Sequence, residues 1–131
     1  MIRSQTESTT LAATAARAAS DKKGEDIVVL EVGPLLSITD AFVITSGMND
    51  RQVRTIAEEV EAQVRASMSR APLRVEGLND ARWILLDYGD VVVHVFLDET
   101  RRYYDLERLW ADAPRLVWED DGPGRSEAAR A

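Results

Sequence analysis

The chain has 131 residues, room for one domain and little more, with 45% apolar and 30% charged residues, the balance of a folded core under a solvated surface. It contains no cysteine, which excludes disulfides, thiol nucleophiles and Cys-ligated zinc or iron–sulfur centres. The formal net charge of -7 argues against broad phosphate binding and suits a partner with a basic surface.

In chain order, the first element is a helix. Leu11, Ala12, Ala15, Ala16 and Ala19 recur at helical spacing, and the spacing predicts a helix over 8–22. Lys22 and Lys23 followed by Gly24 form its stop signal, with the glycine free to go left-handed. Met1 to Ala19 lacks a basic stretch leading into a strongly apolar one, so no signal peptide is expected. No apolar run has the length of a membrane span, and a cytoplasmic location is expected.

Two apolar, β-branched runs follow, 27–32 and 41–46, closed by Gly33-Pro34 and Gly47. Their continuity predicts strands buried on both faces. Asn49 is placed as a helix N-cap with Gln52 returning the bond. Val53, Ile56, Ala57, Val60 and Val64 then form one apolar stripe, ending before Pro72. Residues 73–76 alternate like a short strand. Runs 83–88 and 91–97 are stronger strands, joined by the two-residue turn Gly89-Asp90 as in a tight hairpin. A helix is expected from Asp98 through Trp110, its Tyr103, Leu106 and Trp110 sharing one side and Arg101, Arg102 and Glu107 lying elsewhere. From Glu119 on the chain is rich in charge, Gly and Pro and predicts a flexible tail. The order helix, strand, strand, helix, two or three strands, helix implies a single α/β domain with a mixed sheet and flanking helices.

Motifs for catalysis are sparse. His94, the one histidine, alternates with Val93 and Val95 and reads as a sheet-face residue whose ring nitrogens are satisfied locally, in preference to a catalytic base. No serine with a neighbouring acid and base forms an evident triad, and neither GxxxxGK[ST] nor GxGxxG occurs. Asp40, Asp87 and Asp90 stand near strand ends, where acids either bond local backbone or hold magnesium. Trp83 and the 98–110 stretch supply Trp, Tyr and Arg, the residue types that anchor binding hot spots; about half of these aromatics are assigned to the core.

Several strings together resemble the Iojap-like ribosomal silencing factors. Lys23-Gly24-Glu25-Asp26 with the strand to Val32 is similar to that family's opening strand. Ser37-Ile38-Thr39-Asp40-Ala41-Phe42, continuing to Gly47, is similar to its second motif, and Arg51-Gln52-Val53 with Ile56-Ala57 to the start of its central helix. Val75-Glu76-Gly77 leading to Trp83, then Asp87-Tyr88-Gly89-Asp90 to Phe96, resembles its hairpin. Arg101-Arg102-Tyr103-Tyr104-Asp105 to Trp110 resembles its closing helix.

The resemblance runs from about residue 8 to residue 110. It implies a silencing domain over 1–112 and a flexible tail over 113–131. It further implies a nucleotidyltransferase-like fold without the catalytic motif, no enzymatic activity, no cofactor and no metal. The implied partner is the large ribosomal subunit, bound through its L-fourteen ribosomal protein so that the small subunit is sterically kept from joining, with little direct nucleic-acid contact. A homodimer is expected as well. By the same resemblance the contact residues are Trp83, Asp87, Asp90, Tyr104, Leu106 and Glu107. The competing reading is a nucleotide-binding enzyme with Asp40, Asp87 and Asp90 as magnesium ligands; a third is a dimerisation module pairing through an edge strand or the region of Trp83 and Trp110.

Overall fold

The structure, a computed structural model, describes residues 5–119; the rest of the expected tail lies outside them. Its elements are α1 (Gln5–Asp21), β1 (Glu25–Glu31), β2 (Ala41–Gly47), α2 (Asp50–Met68), β3 (Arg74–Glu76), β4 (Trp83–Asp87), β5 (Val91–Leu97), α3 (Asp98–Tyr104) and α4 (Leu106–Leu109). The five strands form one sheet in the order β1-β2-β5-β4-β3. The β2–β5 pair is parallel and the other three pairs are antiparallel, so the sheet is mixed.

Register assigns each residue to a face. Val29, Val43, Val93, Val95, Ile84 and Leu86 point to one side, where they form a core with the alanine face of α1 and the stripe Val53, Ile56, Ala57, Val60 and Val64 of α2. The alanines let α1 lie close to both the sheet and α2. On the opposite side Leu30, Phe42, Ile44 and Phe96 form a smaller core with Val32 and Ala113, against which Leu36, Trp83, Leu106 and Trp110 pack.

The helix starts follow local chemistry. Asn49 has an extended backbone, and its Oδ1 accepts from the Gln52 N–H at 2.8 Å. Gln52 does not return the bond to Asn49: its Oε1 accepts from the Met48 N–H at 2.7 Å, and its Nε2 donates to the carbonyls of Lys22 and Lys23. The cap thus ties α2 to the α1–β1 turn. In that turn the left-handed residue is Lys23, with φ 65°, not Gly24. Gly24 is required for space, since a Cβ there would lie 2.6 Å from Thr45 Oγ1 and 3.0 Å from the Ala19 carbonyl oxygen.

Three expectations are corrected. Only β2 is buried throughout, whereas β1 is exposed at its start and shifts register between Glu25 and Val28, where Asp26 has φ 46°. The closing helix is broken at Asp105, which adopts the left-handed region at φ 49° and separates α3 from α4; Asp tolerates that conformation better than most residues. Within α3, Tyr103 is 82% exposed instead of lying on the sheet, while Arg101 turns inward and is 7% exposed. Finally, residues 113–118 run along the outer edge of β1. Glu31 N–H donates to the Pro114 carbonyl and Leu116 N–H to the Val29 carbonyl, and the Trp118 indole donates to the Ile27 carbonyl at 3.2 Å.

Candidate functional site

The sheet face opposite α1 and α2 is only partly roofed. Towards β4 it carries Trp83, Leu85 and Asp87, which register places beside Phe96, His94 and Val92 of β5. Trp83 is half-buried. Its ring centroid lies 4.7 Å from Phe96 and 5.1 Å from Tyr104, and Tyr104 in turn meets Tyr103 edge-on at 5.0 Å. Tyr104 is 53% exposed. Trp83 and these tyrosines line a cleft of about 560 Å³, whose other walls include Gly77, Asp80 and Arg82 of the β3–β4 connection and Glu99 of α3. An exposed aromatic group beside carboxylates offers both water exclusion and charge complementarity to a basic surface.

His94 anchors this group from within the sheet. The Trp83 indole N–H donates to His94 Nδ1 at 3.1 Å, while Phe42 packs edge-on at 4.9 Å from the imidazole. Burial lowers the His94 pKa from 6.5 to about 4, outweighing the opposing charge of Asp87. The ring is therefore neutral at pH 7, and Nε2 has no hydrogen-bond partner among the described residues. Local satisfaction of the histidine thus holds for one nitrogen and not for the other.

The six residues expected at the contact surface do not all stand alike. Trp83 and Tyr104 are in mutual contact, and Asp87 shares their face of the sheet. Asp87 Oδ1 accepts from the Gly89 N–H at 2.8 Å and its Oδ2 lies 3.5 Å from Arg74. Leu106 packs into the smaller core. Glu107 takes both carboxylate oxygens to Arg101, at 2.9 and 3.2 Å. Arg101, which the sequence pattern placed off the buried side, also donates to the Glu25 and Asp26 carbonyls and to Ser46 Oγ, clamping α3 and α4 to the start of β1.

Asp90 stands apart. It is 8% exposed and accepts from Arg70 at 2.8 Å (Oδ1) and 3.2 Å (Oδ2). Ser8 Oγ lies 3.0 Å from Asp90 Oδ2 and donates to Asp40 Oδ2 at 2.6 Å. Arg70 also donates to the Tyr88 carbonyl and to Glu7, and its bond to Asp90 raises its pKa further. Asp40 and Asp90 are thus held by a serine and an arginine on the α1 side, away from Asp87. Among the described residues no three His, Cys, Asp or Glu side chains are grouped to hold a metal ion.

A family model described as "Ribosomal silencing factor during starvation" matches residues 5–131. The chain belongs to this family. A ribosomal silencing factor of Bacillus subtilis is 45% identical over 100 residues, covering 76% of this chain and 84% of its own length. One from Halalkalibacterium halodurans is 44% identical over 105 residues, covering 80% and 89%. A mouse protein named for mitochondrial assembly of the ribosomal large subunit is 33% identical over 91 residues, 68% of this chain and 40% of its own. The fold agrees with a crystal structure from Chromobacterium violaceum, with TM-score 0.74, 35% identity and coverage of 78% and 84%. As a ribosomal silencing factor the chain has a regulatory, ribosome-associated role, and its candidate contact surface is the Trp83–Tyr104 face.

Proposed function

We propose that this silencing factor binds the large ribosomal subunit through the L-fourteen ribosomal protein and blocks joining of the small subunit by occupying space, with no bond made or broken. The observation that carries this reading is the contact of half-buried Trp83 with exposed Tyr104, flanked by Asp80, Asp87 and Glu99 on the sheet face that α1 and α2 leave open. A chain of net charge -7 is drawn to a basic ribosomal-protein surface. The mouse relative's name, which ties that protein to the ribosomal large subunit, supports the choice of subunit. In this reading Trp83, Tyr104 and Asp87 make contact, while Leu106, Glu107 and Asp90 hold the elements that present them. In the same reading the protein acts in the cytoplasm and rests as a homodimer, one surface serving the second copy and the ribosome in turn.

The enzyme reading is disfavoured by one observation: the carboxylate of Asp90 is already neutralised by Arg70, and that of Asp40 is bonded to Ser8. A magnesium site there would have to displace both.

Purified protein mixed with separated subunits tests the proposal by sucrose-gradient sedimentation. Co-sedimentation with the large subunit and a smaller joined fraction are expected. Trp83→Ala or Tyr104→Ala should weaken binding by more than about 1 kcal/mol with the fold intact. Binding to neither subunit, with joining unaffected, sinks the reading.

A further inference from the structure

Packing alone does not account for His94. Its neighbours include Phe42 and Phe96, the latter stacked at 6.2 Å, and an apolar ring would suit the site without leaving a buried Nε2–H unpartnered. What a histidine supplies and an apolar ring does not is the acceptor at Nδ1. Indole nitrogen donates and never accepts, so the 3.1 Å contact fixes the tautomer: Nδ1 carries the lone pair and Nε2 the proton. The bond turns the one polar atom of the Trp83 side chain into the protein and pins an indole that otherwise has only undirected apolar and ring contacts.

We infer that His94 is the positioning residue of the docking surface: by accepting the Trp83 indole hydrogen it fixes the ring against Phe96 and Tyr104 in the orientation the partner meets. This rests on the reading of Trp83 as a contact residue. His94 itself, 5% exposed, touches no partner and acts through Trp83. Buried neutrality keeps the acceptor available across the physiological range.

The wild-type chain, labelled with nitrogen-15, gives the first test. Long-range proton–nitrogen spectra at pH 7 should show His94 as the Nε2–H tautomer; a protonated Nδ1 overturns the inference without any variant. The Trp83 indole resonance, identified by its loss in Trp83→Phe, is then followed in His94→Phe and His94→Asn. The phenylalanine keeps a ring and removes the acceptor. It should shift that resonance, speed its solvent exchange about tenfold and weaken large-subunit binding about five- to tenfold, on the scale of one lost hydrogen bond. Asparagine, whose amide oxygen can occupy the Nδ1 position, should recover part of both. A shifted indole with unchanged subunit binding overturns the positioning role, as does an unshifted indole. If Trp83→Ala itself leaves binding intact, the docking surface is wrong and the role given to His94 there falls with it, while the tautomer and the indole resonance still decide whether the bond exists.

Discussion

Removing the Arg70 cation tests whether Asp90 belongs to the interior or to the contact surface. In Arg70→Met the Asp90 carboxylate keeps its place near Asp40, with the Ser8 hydroxyl close to both. Breaking a buried ion pair from one side costs about 3–5 kcal/mol when both groups are dry. Here Asp90's side chain is 6% exposed but Arg70's is 18%, so water enters on one side and about 2–3 kcal/mol is expected. Asp90→Asn removes the charge but keeps the shape, leaving Arg70 its bonds to Glu7 and the Tyr88 carbonyl, and should cost about 1–2 kcal/mol. Because the two substitutions remove the same interaction, the double variant should fall short of the sum by about 1.5 kcal/mol. Urea unfolding followed by circular dichroism, with all four proteins at pH 7, closes the cycle. Additive losses would refute a coupled pair. An Asp90→Asn protein as stable as the parent but unable to bind the large subunit would return Asp90 to the contact surface.

Three further outcomes follow from the same geometry. Tyr88 is fully buried with no hydrogen-bond partner for its hydroxyl among the described residues, and burial pushes its pKa to about 12, so it stays neutral; Tyr88→Phe should change the urea-unfolding free energy by no more than about 1 kcal/mol, in either direction, whereas a larger loss would reveal a partner. His94 takes up a proton near pH 6.5 when unfolded but only near pH 4 when folded, so the unfolded state binds more protons between these values. Its contribution therefore costs nothing above pH 6.5, and stability falls by up to about 1.4 kcal/mol per pH unit down to about pH 4. Unfolding curves across that window should be steeper for the parent than for His94→Phe, and equal slopes would show that His94 is not the group responsible. Gly77 has φ +86°, and a Cβ there would lie 2.0 Å from the Trp83 carbonyl oxygen. Gly77→Ala should cost 2 kcal/mol or more, an estimate of about that size for strain plus a forced shift, and should disturb Trp83 in the same spectra; an unperturbed indole resonance would place the strain elsewhere.

Short-range chemistry was readable from the chain. Asn49 capping α2, the stripe Val53 to Val64 and the Gly89-Asp90 turn each depend on residues a few positions apart, and each appears where the spacing puts it. The misreadings share a different origin. Helical periodicity over 98–110 says nothing of Asp105 going left-handed, nor of how α3, leading directly from β5, turns Arg101 inward and Tyr103 outward. Arg101 is buried because partners 6 to 76 positions away, from Glu107 back to Glu25, converge on it. The pairing of Arg70 with Asp90 likewise spans a stretch of chain that no local pattern connects, whereas Trp83 and His94 share a face of the hairpin that its two-residue turn already implies. Anchor chemistry was legible as residue types in Trp83 and the 98–110 stretch, and the fold brings Trp83 and Tyr104 into ring contact. Which acids face outward was not, since Asp87 and Asp90, three positions apart, differ only in what the rest of the fold brings to them.

The sheet's outer rim on β1 is closed by residues 113–118, which follow all five strands in the chain. While the chain is being synthesised, β1 can already pair with β2, yet its other side shows unpaired backbone groups, the kind of rim that recruits strands from neighbouring chains. Protection of that rim therefore arrives after the strands have been made rather than with the sheet itself. A ribosome that stalls before residues 113–118 are made would release, or hold, a chain whose five strands are all present and whose β1 edge is bare.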